Sequence, residues 1–211
     1  MIYFREWGGI VLTASDFEQL SFRSSFQKSL RKIRMTDVDD HVISMILSDL
    51  ADYNEMIADD SKLQILSGVS YRFKSRDSVC LKLRRYKNTN RDLRGVLNDF
   101  LGIRIVVDDY SEMTGYDFLR KVDMREGKEL DDGYRGIHLY YQKDSLHYQI
   151  EVQVWSRHDA LFNTWAHIKL YKSDPYNIGQ AIRHAFDNGL LKDTNGFDQM
   201  LKRMREEQRY D

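Results

Sequence analysis

Apolar side chains recur at three- and four-residue intervals in two N-terminal stretches, Asp16–Ile33 and Val38–Ala58. They include Phe17, Leu20, Ile43, Ile46, Leu47 and Leu50, a spacing that predicts two amphipathic helices. The pattern then changes. Val69–Lys74 and the β-branched run Gly102–Val107 read as short strands, the second apolar enough to be buried. Ser75 stands where an N-cap belongs, ahead of a helix carrying Ser78–Arg85. Tyr134–Gln142 and Tyr148–Trp155 form two more strands, separated by the polar turn Lys143-Asp144-Ser145 at hairpin spacing. Helical periodicity returns over His158–Leu170, Ile178–Leu191 and Phe197–Gln208. These elements predict an α+β fold, a mixed sheet of about five strands enclosed by helices. Among 211 residues there is one proline, Pro175, and neither a Gly/Ser-rich linker nor a repeat. The chain is therefore expected to form a single domain over 1–211, with N-terminal helices at about 16–58 and C-terminal helices at about 177–209.

Composition narrows the function classes. Lys+Arg 32 against Asp+Glu 33 excludes a polycation that grips nucleic acid with its whole surface. One cysteine, Cys80, excludes a disulfide framework within the chain and fits a reducing compartment. No signal-peptide pattern follows Met1 and no apolar run approaches a bilayer span, so a soluble, cytoplasmic protein without a membrane partner is expected. The balance hides a local asymmetry. Arg72–Arg94 holds nine basic residues against Asp77 and Asp92, a local +7 that leaves about -8 for the remainder. A second basic cluster, Arg23, Lys28, Arg31, Lys32 and Arg34, meets no acid until Asp37. Such runs are often solvated faces, so the neighbouring chemistry decides their meaning.

Four segments carry candidate chemistry. Arg72 and Lys74 share a strand face, while Ser78, Lys82 and Arg85 share a helix face. A strand delivering cations into a helix start suits a polyphosphate. Asp99 precedes the buried strand, where a carboxylate suits Mg²⁺, and Arg104 interrupts that strand with a guanidinium that must find a partner or a cleft. In Gly133-Tyr134-Arg135-Gly136-Ile137-His138, Tyr134 and His138 fall on one face of an extended segment, and an exposed ring beside glycines suits base stacking. In Glu151-Val152-Gln153-Val154 the two polar side chains share a face, placing a carboxylate and an amide where they could serve a metal or a hydroxyl nucleophile. His158 and His167 are nine residues apart, off a common helix face, and are given no zinc role. Walker A, Cys/His metal and Gly-x-Ser-x-Gly patterns are missing.

Taken in order, Arg72-x-Lys74, Ser78, Lys82, Asp99-x-x-Gly102-x-Arg104, Gly133-Tyr134-Arg135-x-x-His138 and Glu151-x-Gln153 closely resemble the RelA/SpoT synthetase domain of the alarmone synthetases. Trp165-Ala166-His167-Ile168-Lys169-Leu170-Tyr171-Lys172 also resembles the helix closing that domain, so the likeness runs from roughly Glu18 to Lys172. The resemblance implies a small, single-domain member that transfers pyrophosphate from ATP to a ribose 3′-hydroxyl with Mg²⁺. It implies that Arg72 and Arg104 sandwich adenine, that Lys74, Ser78 and Lys82 hold the triphosphate, and that Asp99 and Glu151 take Mg²⁺, Glu151 lying near the attacking hydroxyl. Tyr134 would stack on the acceptor base, with His138 and Gln153 lining the acceptor side.

Two departures bear on the acceptor. Where the family usually has Pro-Lys before the Gly-Tyr, this chain has the acidic run Glu129-Leu130-Asp131-Asp132, with Lys128 out of register. The usual Glu-x-Gln-x-Arg becomes Glu151-x-Gln153-x-Trp155. Both remove a cation from the acceptor side. A toxic branch of the family instead modifies the 3′-terminal adenosine of tRNA. That acceptor suits the basic cluster, with Lys28, Arg31 and Lys32 as RNA-binding candidates. The expectation is therefore a toxic, tRNA-modifying pyrophosphokinase, with (p)ppGpp synthesis from GDP or GTP as the alternative. A non-catalytic nucleotide-binding module is the alternative of another class. An antitoxin and a second copy of the chain are the protein partners left open.

Overall fold

Short capped segments organise the N-terminal half. The computed structural model describes residues 12–113, 115–127, 131–170 and 176–207. Helix α1 (Ala14–Leu20) starts at a capping box between Thr13 and Asp16 and stops at Ser21, whose backbone is extended. The single helix expected over Asp16–Ile33 is thus broken after Leu20, a seven-residue helix of about two turns. Serines at 21, 24, 25 and 29 offer the backbone local alternatives to the helix. The chain beyond uses them: the Ser24 N–H donates to Leu146 O at 2.9 Å, its hydroxyl donates to the same carbonyl at 2.7 Å, and the Leu30 N–H donates to Ser145 O. A 3₁₀ turn, Leu30–Lys32, follows. The apolar spacing that resembled a helix instead marks residues buried one by one, Phe26, Leu30 and Ile33 among them.

Helix α2 (Asp40–Ile57) matches its prediction and is capped by Asp39. Helix α3 (Asp60–Ile65) follows, then β1 (Ser70–Phe73) and α4 (Arg76–Tyr86), whose N-cap is Ser75 as predicted. A one-turn helix α5 (Leu93–Val96) leads into β2 (Leu101–Val107). Strand β3 (Arg120–Asp123) was not foreseen, since four residues bearing three charges show no apolar alternation. Strands β4 (Ile137–Tyr141) and β5 (Ile150–Ser156) confirm the two expected segments, although β4 begins three residues after Tyr134. Helices α6 (Arg157–Lys169), α7 (Tyr176–Asp187) and α8 (Thr194–Glu207) complete the described chain. The five strands form one mixed sheet in the order β1-β2-β5-β4-β3 and, with the eight α-helices of the described residues, make the fold α+β. β1 and β2 are antiparallel, with Ser70 opposite Arg104 and Arg72 opposite Gly102.

Contacts divide the chain into two compact units. The first comprises 1–105, 114–121 and 139–153; the second comprises 106–113, 122–138 and 154–211. In the first, Tyr53 is fully buried, stacks on Phe22 at 5.0 Å and donates its hydroxyl to Leu20 O at 2.8 Å. Buried Tyr148 stacks on Phe100 at 4.5 Å and donates to Asp49, which also accepts the Ser25 N–H. The second unit packs Phe162, Trp165, Ile178, Ile182, Phe186, Phe197 and Leu201 together. Among the described residues no helix is long and apolar enough to cross a membrane.

Candidate functional site

The antiparallel register of β1 and β2 creates the first element of the site. Arg72 faces Gly102 directly, and Arg104 sits two residues further along β2, the diagonal neighbour on the same face. Gly102 lets the Arg72 side chain lie against the strand: a Cβ there would lie 3.3 Å from Arg72 Nε. The resulting cleft is lined by Ser70, Tyr71, Arg72, Ile103, Arg104 and Gln153 around that glycine. Two guanidiniums on neighbouring strands can hold a flat aromatic ring by stacking on it.

Beside it lies Asp99, buried at the mouth of β2. Both of its oxygens are occupied. Lys74 Nζ bonds Oδ2 closely, Lys82 Nζ donates to Oδ1 at 3.0 Å, and Arg72 Nη2 reaches Oδ2 at 3.4 Å. The Lys74 N–H donates to Phe100 O, which fixes the end of β1 against the Asp99 segment. Lys82, one turn into α4 from Ser78, also donates to Asn98 Oδ1. Burial alone would raise the Asp99 pKa, but Lys82 and Lys74 outweigh it and hold the carboxyl below its ordinary range. Burial likewise lowers the Lys74 pKa, against the pull of Asp99 and with a further push from Lys82 and Arg72. Of the residues read from sequence as triphosphate and metal ligands, Lys74, Lys82 and Asp99 are thus brought together, paired with one another. Ser78 stays exposed at the start of α4, where its hydroxyl accepts from Ser75 at 2.9 Å.

A second polar group lies on β5 in the same unit. Glu151 is buried; its Oε1 accepts from Tyr140 at 3.1 Å and its Oε2 from Gln153 Nε2 at 2.9 Å. Gln153 in turn accepts from Arg104 Nη2 at 3.4 Å. β5 is buried along both faces except at Gln153 and Ser156, so Glu151 is not the exposed half of an ordinary amphipathic strand. Burial, then the charge of Glu151, pushes the Tyr140 phenol well up, and Asp99 contributes to the same shift. Tyr140 and Asn98 were missed from sequence because a tyrosine in a strand and an asparagine beside an aspartate carry no pattern of their own.

Asp99 and Glu151 are the hard oxygen donors that Mg²⁺ prefers. No group of three or more His, Cys, Asp or Glu suited to a metal occurs among the described residues. Two carboxylates fit an ion that completes its shell from substrate phosphates and water, rather than one caged by protein alone.

The expected acceptor residues Tyr134 and His138 belong to the second unit. Tyr134 Oη lies 2.6 Å from His138 Nε2 and accepts from the Trp155 indole N–H at 2.7 Å. The two residues meet as predicted, but Tyr134 precedes β4 and is half-buried rather than exposed. The glycines beside it do not open the backbone to a nucleotide. A Cβ on Gly136 would lie 2.8 Å from Trp155 Cδ1, and one on Gly133 would lie 2.7 Å from both Gly179 O and Phe162 Cζ. Their missing side chains admit protein. Trp155, read from sequence as a lost cation, anchors the Tyr134 hydroxyl.

The acidic run is also different from its reading as a free negative charge. Lys128, Glu129 and Leu130 lie outside the described residues, as do Tyr171 and Lys172. Asp131 forms a two-pronged pair with Arg135, at 2.7 and 2.8 Å, and accepts the Gly133 N–H, while Asp132 accepts the Tyr134 N–H. Asp131 is therefore neutralised locally. Of the RNA candidates, Lys28, Arg31 and Lys32 are all exposed, as are Arg23 and Arg34.

No protein-family model and no curated protein matches the chain. Among solved structures it is similar to the small alarmone synthetase 1 of Bacillus subtilis bound to its product pppGpp, at 20% identity and a TM-score of 0.42, over 80% of this chain and 92% of that one. It is similar to the small alarmone synthetase 2 of Bacillus subtilis at 18% identity and a TM-score of 0.40, over 79% and 96%. A GTP pyrophosphokinase family protein from Streptococcus pneumoniae gives 20% identity and a TM-score of 0.42, over 76% and 92%. Overlap at this level is too loose to transfer residue roles.

Proposed function

We propose that this chain is a RelA/SpoT-type pyrophosphokinase that moves the β,γ-diphosphate of ATP onto a ribose 3′-hydroxyl. The Asp99 cluster carries the reading: three cations converge on one buried carboxylate beside the cleft that holds Arg72 and Arg104. A triphosphate bears more negative charge than a carboxylate and draws Lys74 and Lys82 from Asp99 onto its oxygens. The exchange leaves Asp99 available, with Glu151, to hold Mg²⁺. When bound, that ion supplies charge neutralisation on the phosphate oxygens. The adenine lies between Arg72 and Arg104, and Ser78 serves the phosphates from the start of α4. The acceptor oxygen attacks the β-phosphorus, the bond to the α–β bridging oxygen breaks, and AMP leaves. The hydroxyl proton passes to Glu151, whose carboxylate Tyr140 and Gln153 orient. Such phosphoryl chemistry depends on positioning and charge far more than on covalent help.

The acceptor proposed is the 3′-terminal adenosine of tRNA, for which the first unit offers Gln153 and the exposed Lys28, Arg31 and Lys32, and the second offers Tyr134 and His138. Modification there blocks aminoacylation and so translation, an activity that calls for a neutralising antitoxin. The Asp131–Arg135 pair favours a second reading, (p)ppGpp synthesis, because it removes part of the repulsion a guanine nucleotide would meet. γ-Labelled ATP with Mg²⁺ and either deacylated tRNA or GDP and GTP separates them by which acceptor takes label. ATP binding with no transfer to either would leave only a nucleotide-binding module.

A further inference from the structure

The basic patch of the first unit contains a feature that a solvated face does not need. Arg94, on α5, has its Nε buried with no hydrogen-bond partner among the described residues. An exposed guanidinium would find water there. Its helix packs on the Leu30–Lys32 turn that carries Arg31. That contact is pinned by backbone bonds from Leu93 N to Ile33 O at 2.8 Å and from Met35 N to Arg91 O at 2.9 Å. Arg120, at the start of β3, lies over the Tyr140 ring at 4.3 Å, and Tyr140 donates to Glu151. A guanidinium over a ring face is attracted to the ring and still offers N–H donors to an anion.

We infer that Arg31, Arg94 and Arg120 form a phosphate-binding site that extends from the Tyr140–Glu151 pair toward the Lys28–Lys32 surface. The inference rests on the pyrophosphokinase reading only in making the bound phosphate that of the acceptor. Electrostatics agree with it. Burial, then the charges of Arg31 and Arg120, lower the Arg94 pKa, with Asp92 as the opposing acid. Asp92 is itself engaged in capping α5 through the Gly95 N–H at 2.7 Å. Three like charges facing one committed carboxylate favour an incoming anion. Its ligand is a phosphate group, of an RNA backbone or of a free nucleotide.

The test measures binding, not turnover. The full chain is titrated with a short single-stranded RNA ending in adenosine, with GDP and with inorganic phosphate, at several salt concentrations. Arg94→Gln and the exposed Arg120→Gln should each weaken RNA or GDP binding about five- to tenfold and flatten the salt dependence by about one phosphate contact. Arg94→Lys should fall between, and ATP affinity should not change. Loss confined to RNA assigns the site to a backbone phosphate; loss confined to GDP assigns it to a nucleotide phosphate. If both glutamine variants bind RNA, GDP and phosphate with native affinity and native salt slope, the site is refuted. A protein that transfers label to neither acceptor but shows these binding losses would refute the pyrophosphokinase reading and leave the site standing.

Discussion

Asp99 is where stability and the proposed chemistry can be tested together. Its carboxyl is held below the ordinary range, so its ion pairs stabilise the fold above the unfolded aspartate pKa of about 3.9 and that contribution disappears as pH falls through the lower, folded value. Asp99→Asn leaves buried Lys74 facing an uncharged amide and should cost about 3 kcal/mol at pH 7, somewhat less to the extent that water reaches Lys82 and Arg72. In chemical denaturation the gap between native and variant proteins should begin to narrow below about pH 4 and close only as pH falls through the lower, folded value, where the native carboxyl becomes neutral. Pyrophosphate transfer should be lost in Asp99→Asn and in Glu151→Gln; near-normal turnover of either at saturating ATP and Mg²⁺ would remove that residue from the mechanism. Tyr134→Ala should weaken acceptor use by about 1–3 kcal/mol with ATP affinity unchanged if the ring stacks on a base. Equal losses for ATP and acceptor would make the ring a core residue.

Secondary-structure elements meet through glycines. In β2, Gly102→Val introduces a good strand former but pushes its side chain against Arg72. ATP should bind about tenfold more weakly, roughly 1.4 kcal/mol, while the melting temperature stays near native. Gly133 has φ +84° and presses on Gly179 O and Phe162, so Gly133→Ala should destabilise the protein by about 3 kcal/mol. Gly189, at φ +72° with open space around its Cα, is the control: Gly189→Ala should cost only about 1 kcal/mol. Similar effects at both positions, measured by urea denaturation, would show that the backbone angle dominates and the close approach does not.

For the whole molecule, the decisive property is uneven charge on a chain of formal net charge -1. Reversing Lys28, Arg31 and Lys32 together should abolish tRNA modification, and modification by the native protein should weaken as salt rises, with ATP binding intact in both cases. Efficient guanosine alarmone synthesis by the native protein, unchanged in the triple variant, would return that cluster to a solvated face.

Local physics accounts for what could be read without a structure. The Ser75 cap, the β2 run, helix α2 and the three C-terminal helices follow from capping, β-branching and helical periodicity, which act between residues close in the chain. The clustering of Arg72, Lys74, Lys82 and Asp99 was legible because charged side chains beside apolar strands must find a partner or a cleft. Tertiary contact decided the rest. The Asp16–Ile33 periodicity gave way when serines turned the backbone toward the Ser145–Leu146 turn, more than a hundred residues away. Strand β3 exists through its place at the sheet edge, not through its own sequence. Whether a glycine admits a ligand or a neighbouring side chain, whether Asp131 is free or paired, and whether Arg94 faces water or other arginines all depend on residues distant in the chain. No local propensity encodes those partners; only the folded chain brings them within reach.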